Sequence, residues 1–242
     1  MRQILLITDG CSNVGMSPVV AAAHARSEGI TVNVVGVLDN NEEASMAGRE
    51  EIADIARAGG GLSRIVHERQ LSQTVQLMTR KTVVTTIQQA VNRELKQVFG
   101  ADAIEELPPE KRGQVVRVID DLGETSDLKV ALLIDASASM KPKLAAVEEA
   151  IRDLMLSLQA RSGRSEIAVF HFPHSSSGDD CMCDLDWTDN LTGMRSIIPK
   201  LQMRGTTPTG PALMQVIDFY GKGGYGRTTR RETDGISGDY VV

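Results

Sequence analysis

The sequence predicts an α/β fold: a doubly wound, mostly parallel six-stranded sheet with helices on both faces. Two observations lead to this prediction. Short apolar runs alternate with longer amphipathic stretches along most of the chain, a pattern typical of strand–helix–strand units in a parallel sheet. Several of these runs are apolar at nearly every position, as are strands that helices cover on both faces. With 242 residues, 41% of them hydrophobic, the chain can bury one such core.

The first hundred residues provide three strands and three helices. The run ILLIT at 4–8 predicts a strand, and the helix after it begins with Ser17 as its N-cap and Pro18 at its first position and stops at Gly29. The elements that follow are a valine-rich strand at 30–38, a helix at 49–61, a strand at 62–66 and a long amphipathic helix. One face of that last helix is apolar and consists of Leu71, Val75, Met78, Ile87, Val91, Leu95 and Val98.

The alternation resumes in the second half, after a segment of different character. Residues 100–127 combine a Pro-Pro break with dense charge, and we interpret them as a connector with one short helix from about 109 to 122. The later elements are strands at 128–135 and 166–172, a hairpin partner at 183–188, and helices at 141–160, 190–201 and 209–220. The predicted organisation is a first part at 1–99, the connector at 100–127, a second part at 128–220 and a flexible tail at 221–242.

Composition and charge argue against several functional classes. The net charge of −6 argues against nucleic acid as the main partner. No window reaches the roughly 18 consecutive apolar residues of a membrane span, and Asp9 interrupts the first apolar run, which is too short for a signal-peptide core. Three sparse cysteines provide no disulfide framework. We therefore expect a cytoplasmic protein without a membrane or nucleic-acid partner.

Polar side chains follow the predicted strand at 128–135 in a specific pattern. The strand ends on Asp135, and Ser137 and Ser139 follow at spacings of two. This spacing lets one carboxylate and two hydroxyls converge above the sheet, and such hard oxygen donors suit Mg²⁺ or Mn²⁺ rather than zinc. Thr207, in the loop before the last predicted helix, is a fourth candidate ligand.

Asp9 also stands at the carboxyl end of an apolar strand, in the run Thr-Asp-Gly, and is a fifth candidate. Each candidate has a plainer interpretation as well. Asp and Ser are common helix caps, so the cluster that begins at Asp135 could cap a helix, and Asp9 could be a turn residue. A second set could suggest a soft-metal site, although its members fit a strand pair and its loop better: His171, His174, Cys181 and Cys183.

The five candidates together resemble the metal-ion-dependent adhesion site of von Willebrand factor A (VWA) domains. The family pattern is Asp-x-Ser-x-Ser after the first strand, a threonine in a Gly-Thr-x-Thr-Gly-like loop, and an aspartate in Thr-Asp-Gly after the fourth strand. The matching residues here are Asp135, Ser137, Ser139, Thr207 and Asp9. The stretch REEIADIARAGGGLSRIV also resembles the helix and strand that follow the family's fifth strand, so the similarity covers roughly residues 1–80 and 128–220.

The order of these motifs departs from that of the family. In VWA domains the Asp-x-Ser-x-Ser strand comes first, whereas here the strand that carries Asp9 comes first. The resemblance therefore implies a circularly permuted VWA domain with a Rossmann-like sheet, whose first part corresponds to the second half of the domain. In it the strands ending at Asp9 and Asp135 would be central neighbours. Pairing of the two parts within one chain predicts a monomer, and pairing between two chains would give a swapped dimer.

The resemblance also implies a function. A VWA module would hold Mg²⁺, or Mn²⁺, at this site and capture an Asp or Glu carboxylate of a partner protein without catalysis. The alternatives are a metal-dependent hydrolase of phosphoesters, for which the sequence shows no positioned general base, and a scaffold whose site has lost its metal. The chain further resembles the stand-alone, YabS-like VWA proteins of endospore-forming bacteria, which would imply a role in a sporulation or signalling assembly.

Overall fold

The computed structural model describes residues 1–38, 46–99, 106, 108–174, 180–190 and 206–222. They form one six-stranded sheet with helices on both faces, which confirms the predicted fold class. The strands are β1 (Arg2–Thr8), β2 (Thr31–Leu38), β3 (Gly60–His67), β4 (Leu128–Asp135), β5 (Ser165–Phe172) and β6 (Met182–Thr188). The helices are α1 (Pro18–Ser27), α2 (Met46–Ala58), α3 (Leu71–Phe99), α4 (Pro109–Thr125), α5 (Leu144–Gln159) and α6 (Thr209–Lys222).

The sheet is doubly wound, with the strand order β3-β2-β1-β4-β5-β6. Neighbouring strands from β3 to β5 are parallel, and β6 is antiparallel to β5, as the predicted hairpin requires. β1 lies directly beside β4, with Leu5 opposite Leu132. The strand order reverses between these two strands, and sheets of this kind bind ligands at the carboxyl ends of the strands at that point. The topology therefore brings the ends of β1 and β4, and with them Asp9 and Asp135, next to each other.

Two hydrophobic cores cover the two faces of the sheet. Successive side chains of a strand enter opposite cores, so Leu5 packs in the core with α3 and α5, and Leu6 packs in the core with α1, α2 and α6. Burial on both faces explains why these strands are apolar at nearly every position. The predicted apolar face of α3 has the following buried members: Leu71, Val75, Met78, Ile87 and Leu95, with Val91 partly buried. The side chain of Val98 lies outside the described residues.

Two predicted helix starts differ in detail from the structure. Ser17 occupies the N-cap position of α1, but its side chain makes no capping hydrogen bond, and only its carbonyl accepts from the Ala21 N–H. The helix predicted from residue 141 is preceded by a 3₁₀ helix, Ala138–Lys143, and α5 begins at Leu144. Pro142 explains this second difference, because proline has no N–H to donate and its ring disfavours an α-helical interior.

The predicted connector contributes to the folded body at its carboxyl end. Its helix runs to Thr125, and Ile119 packs in the core with α3 and α5. The Arg161 guanidinium donates to the carbonyls of Gly123 and Ser126 at 2.7 and 2.8 Å, which holds the end of α4 beside α5. The predicted helix residues 191–201 and most of the predicted tail, 223–242, lie outside the described residues. No helix within the described ranges has both the length and the apolarity to cross a membrane.

Tyr220 of α6 ties the two central strands together at their amino ends. Its buried hydroxyl donates to the Gln3 carbonyl at 2.6 Å and accepts from the Ala131 N–H at 3.1 Å. Burial raises the pKa of Tyr220, so the hydroxyl stays protonated and able to donate. Tyr220→Phe would leave these backbone groups of β1 and β4 without this partner, and we expect the free energy of unfolding to fall by about 1–3 kcal/mol.

Urea denaturation followed by circular dichroism measures this loss. Ser27→Ala is the matched control, because it also removes a hydroxyl that donates to a carbonyl, that of His24, but at an exposed site where water can replace it. Equal stability of the two variants would contradict the role given to Tyr220.

Candidate metal centre

The candidate ligands meet at the carboxyl ends of β1 and β4. Asp9 directly follows β1, and Asp135 is the last residue of β4. Ser137 and Ser139 lie at the start of the 3₁₀ helix that leaves β4. Thr207 lies just before α6 and is hydrogen-bonded to the loop that follows Asp9. The structure thus brings the five residues singled out in the sequence to one edge of the sheet.

Asp135 is fully buried and held by two donors. Thr8 Oγ1 donates to Asp135 Oδ2 at 2.7 Å, and the backbone N–H of Ser137 donates to Asp135 Oδ1 at 2.8 Å. Burial raises the pKa of Asp135; the hydrogen bonds oppose this shift, and the nearby charge of Asp9 adds to it. The plainer interpretation predicted a helix cap, but Ser137 is the N-cap of the 3₁₀ helix and its side chain makes no capping hydrogen bond; the bond from its N–H to Asp135 closes a local turn instead. Burial disfavours the charged form of a carboxylate, and a neighbouring cation would stabilise that form.

Hydrogen bonds between side-chain oxygens link Ser137, Ser139 and Asp9. Ser137 Oγ lies 3.1 Å from Ser139 Oγ, and Ser139 Oγ donates to Asp9 Oδ1 at 2.9 Å. Adjacent oxygens of an octahedral Mg²⁺ site with bonds of about 2.0–2.1 Å lie about 2.9 Å apart. The oxygen spacing in this cluster therefore suits a small, hard cation, which would replace the hydrogen bonds between these oxygens. Carboxylates and hydroxyls are also the donors such a cation prefers.

The loop after β1 holds Thr207 in place through its backbone. Asn13 accepts from the Thr207 N–H with its side-chain oxygen at 2.8 Å, and its own N–H donates to the Thr207 carbonyl at 3.2 Å. Ser12 Oγ donates to the same carbonyl, and its N–H donates to Glu51 of α2 at 2.8 Å. Gly210 permits this close approach, because a Cβ there would lie 2.0 Å from the Met16 carbonyl oxygen. Ser12, Asn13 and Glu51 were not predicted as site residues.

Lys143 is a further site residue that the sequence analysis missed. Its Nζ lies 2.7 Å from Asp9 Oδ2, and the exposed fractions of the two side chains are 1% and 3%. Lys143 follows Ser139 by four residues, and both side chains contact the same carboxylate. The contact joins residues 134 apart in sequence, so no local signal indicated it.

In the second candidate set, His171 and Cys183 lie in the paired strands β5 and β6, and His174 and Cys181 lie just outside them. His171 Nδ1 lies 2.7 Å from Asp184 Oδ2, both side chains are buried, and the His174 ring packs edge-on against His171. Burial, with the charges of Asp186 and Asp184, raises the pKa of the Cys183 thiol to about 12, which disfavours the thiolate that binds metal. Among the described residues, no three His, Cys, Asp or Glu side chains group as a metal site. A cation site among the described residues would therefore need other oxygen donors besides these side chains, such as hydroxyls.

The fold and this cluster define a class: an α/β protein with a candidate cation site at the reversal point of a doubly wound sheet. No known family model matches the chain. It is 48% identical over 216 residues to the uncharacterized protein YabS of Bacillus subtilis (strain 168), covering 89% of this chain and 87% of YabS. The chain therefore belongs to the family of YabS, as the sequence resemblance implied.

A solved structure shares this fold. The crystal structure of an uncharacterized protein from Alicyclobacillus acidocaldarius matches with a TM-score of 0.84 and 41% identity, covering 91% of this chain and 93% of that one. Proximal thread matrix protein 1 from the mussel byssus, solved with a zinc-occupied MIDAS motif, matches with a TM-score of 0.30 and 15% identity, covering 96% of this chain and 48% of that one. A similarity as low as the second bears on neither the fold nor the site.

Proposed function

We propose that the chain is a non-enzymatic, metal-dependent protein-binding module, built as a circularly permuted VWA domain. The observation that supports this most is the convergence of four candidate ligands at the reversal point of the sheet. Oxygen contacts of 2.9–3.1 Å join Asp9, Ser139 and Ser137, and the Asp135 carboxylate accepts from the Ser137 N–H at 2.8 Å. The first strand supplies one acid and the fourth strand the other. Their meeting is what a permuted order of the family motifs requires.

Five residues would hold the metal, Mg²⁺ or Mn²⁺. Ser137, Ser139 and Thr207 would provide hydroxyl ligands, and Asp135 and Asp9 would bind directly or through water. When bound, the cation would supply a Lewis-acidic position open to an Asp or Glu carboxylate of a partner protein. The chain's own residues would fix the geometry of that position, because the buried Asp135 and the loop around Thr207 are already held by hydrogen bonds.

Metal-dependent capture of a partner tests this proposal. We expect the full chain to bind Mn²⁺ or Mg²⁺ saturably in isothermal titration, and to retain partner proteins in an affinity pull-down with Mg²⁺ but not with EDTA. Asp9→Ala should reduce both by at least about tenfold, because it removes a ligand or the anchor of a bound water. The control is Asp54→Ala, which alters a half-exposed aspartate of α2 that is paired with Arg57. Capture that persists unchanged in excess EDTA would contradict the proposal, and turnover of generic phosphoesters would favour the hydrolase instead.

A further inference from the structure

The charge of Lys143 bears on how the proposed metal centre works. Lysine is almost never fully buried without a partner, because removing an ammonium group from water is costly. Here the Lys143 side chain is 1% exposed, and its Nζ contacts Asp9 Oδ2 at 2.7 Å. The other oxygen of Asp9, Oδ1, accepts from Ser139 Oγ at 2.9 Å. Both oxygens of Asp9 are therefore engaged within the protein.

We infer that Lys143 is a positioning residue that acts as a built-in counter-charge: it holds Asp9 in the outer part of the metal centre and makes the metal-loaded site net positive. This inference rests on the proposed function. It assigns the direct carboxylate contact to Asp135, while Asp9 acts through Ser139 or through water. The cation and Lys143 would then lie on different sides of Asp9 and share its negative charge.

The charge balance gives the consequence for ligand choice. Counted over the five candidate ligands and Lys143 alone, two carboxylates, one ammonium and a divalent cation leave one net positive charge, and the hydroxyls of Ser137, Ser139 and Thr207 add none. A single carboxylate from a partner would neutralise this site. Without Lys143 the loaded site would already be neutral, and the incoming carboxylate would gain less. Lys143 thus weakens metal binding by like-charge repulsion and strengthens the preference of the loaded site for an anion.

The same ion pair explains how the site can stay assembled before metal binds. Asp9 and Asp135 lie near each other, and two unneutralised carboxylates would repel. The Lys143 ammonium compensates one of these charges inside the protein. Removing it should make the metal-free protein less stable and more dependent on metal for its stability.

The test compares four forms of the full chain: wild type, Lys143→Met, Lys143→Arg and the control Lys141→Met, which alters an exposed lysine two residues away. Titration with Mn²⁺ measures metal affinity, thermal unfolding with and without Mn²⁺ measures stabilisation, and titration of the Mn²⁺-loaded protein with acetate measures anion preference. For Lys143→Met we expect about tenfold tighter Mn²⁺ binding and about tenfold weaker acetate binding. Its Tm should rise on Mn²⁺ addition by about 5 °C more than that of wild type. Lys143→Arg and Lys141→Met should resemble wild type.

Each other outcome is decisive. Equal Mn²⁺ affinity and equal stabilisation of wild type and Lys143→Met would overturn the counter-charge role and leave the proposed function standing. Binding of Mn²⁺ by Lys143→Met but not by wild type would overturn both the proposed function and the inference, because the wild-type protein would then have no metal-loaded site. Absence of Mn²⁺ binding in every form would overturn both. If Lys143→Met does not fold, the double variant Asp9→Asn with Lys143→Met should fold, because it removes both charges. Failure of the double variant would overturn the inference.

Discussion

Deletion of residues 1–10 should abolish cooperative folding, whereas deletion of a dispensable terminus would leave the free energy of unfolding nearly unchanged. The segment contains β1, which lies between β2 and β4 in the middle of the sheet. Its apolar side chains, Ile4, Leu5, Leu6 and Ile7, are at most 1% exposed. Truncating one such side chain costs about 2–5 kcal/mol, and a whole domain is stable by about 5–15 kcal/mol. Losing four of them together with the central strand exceeds that margin.

Circular dichroism and urea denaturation measure this effect: the deletion variant should show no cooperative transition and no Mn²⁺-dependent stabilisation. Val20→Ala is the control, since Val20 is 59% exposed on α1, and it should change the free energy of unfolding by no more than about 0.5 kcal/mol. A deletion variant that unfolds cooperatively near the wild-type midpoint would show that β1 is dispensable.

Asp135→Asn should abolish metal binding while the protein remains folded. Asparagine preserves the shape of the side chain and can still accept from the Ser137 N–H, and the Thr8 hydroxyl can rotate to accept instead of donate. It cannot, however, supply the negative charge that a divalent cation requires. We expect Mn²⁺ affinity to fall by at least about a hundredfold, measured by isothermal titration. Asp54→Asn, at a half-exposed aspartate of α2, should bind like wild type.

Without metal, the difference in stability between wild type and Asp135→Asn should depend on pH, because Asp135 titrates and asparagine does not. Burial raises the pKa of Asp135 in the folded state, so the folded state favours the protonated form. The stability this residue contributes is present at low pH and is lost as the pH rises through the raised pKa. At neutral pH the variant should therefore be at least as stable as wild type, and this advantage should vanish below about pH 3.9. A variant less stable than wild type at neutral pH would contradict this expectation.

The fold was largely predictable because its strands and helices follow from patterns of apolar residues that are local in the sequence. A strand covered on both faces is apolar along its length, and β1, β2 and β4 are of this kind. Repeated strand–helix alternation then leaves few arrangements apart from a parallel sheet with helices on both sides. The helix starts were less predictable. Ser17 stands at the N-cap of α1 without a side-chain capping hydrogen bond, and Pro142 lies in a 3₁₀ helix that delays the start of α5 to Leu144.

The candidate site, like the fold, has features that the sequence predicted and features that it did not. The sequence by itself determined the six strands, the acids that end β1 and β4, and the hydroxyls that follow Asp135, since all of these depend on residues close together in the chain. Only the tertiary structure decided that Lys143 contacts Asp9, that Thr8 donates to Asp135, and that Asn13 holds Thr207. These contacts join residues far apart in sequence, and their geometry depends on how the strands and helices pack. No local pattern carries that information.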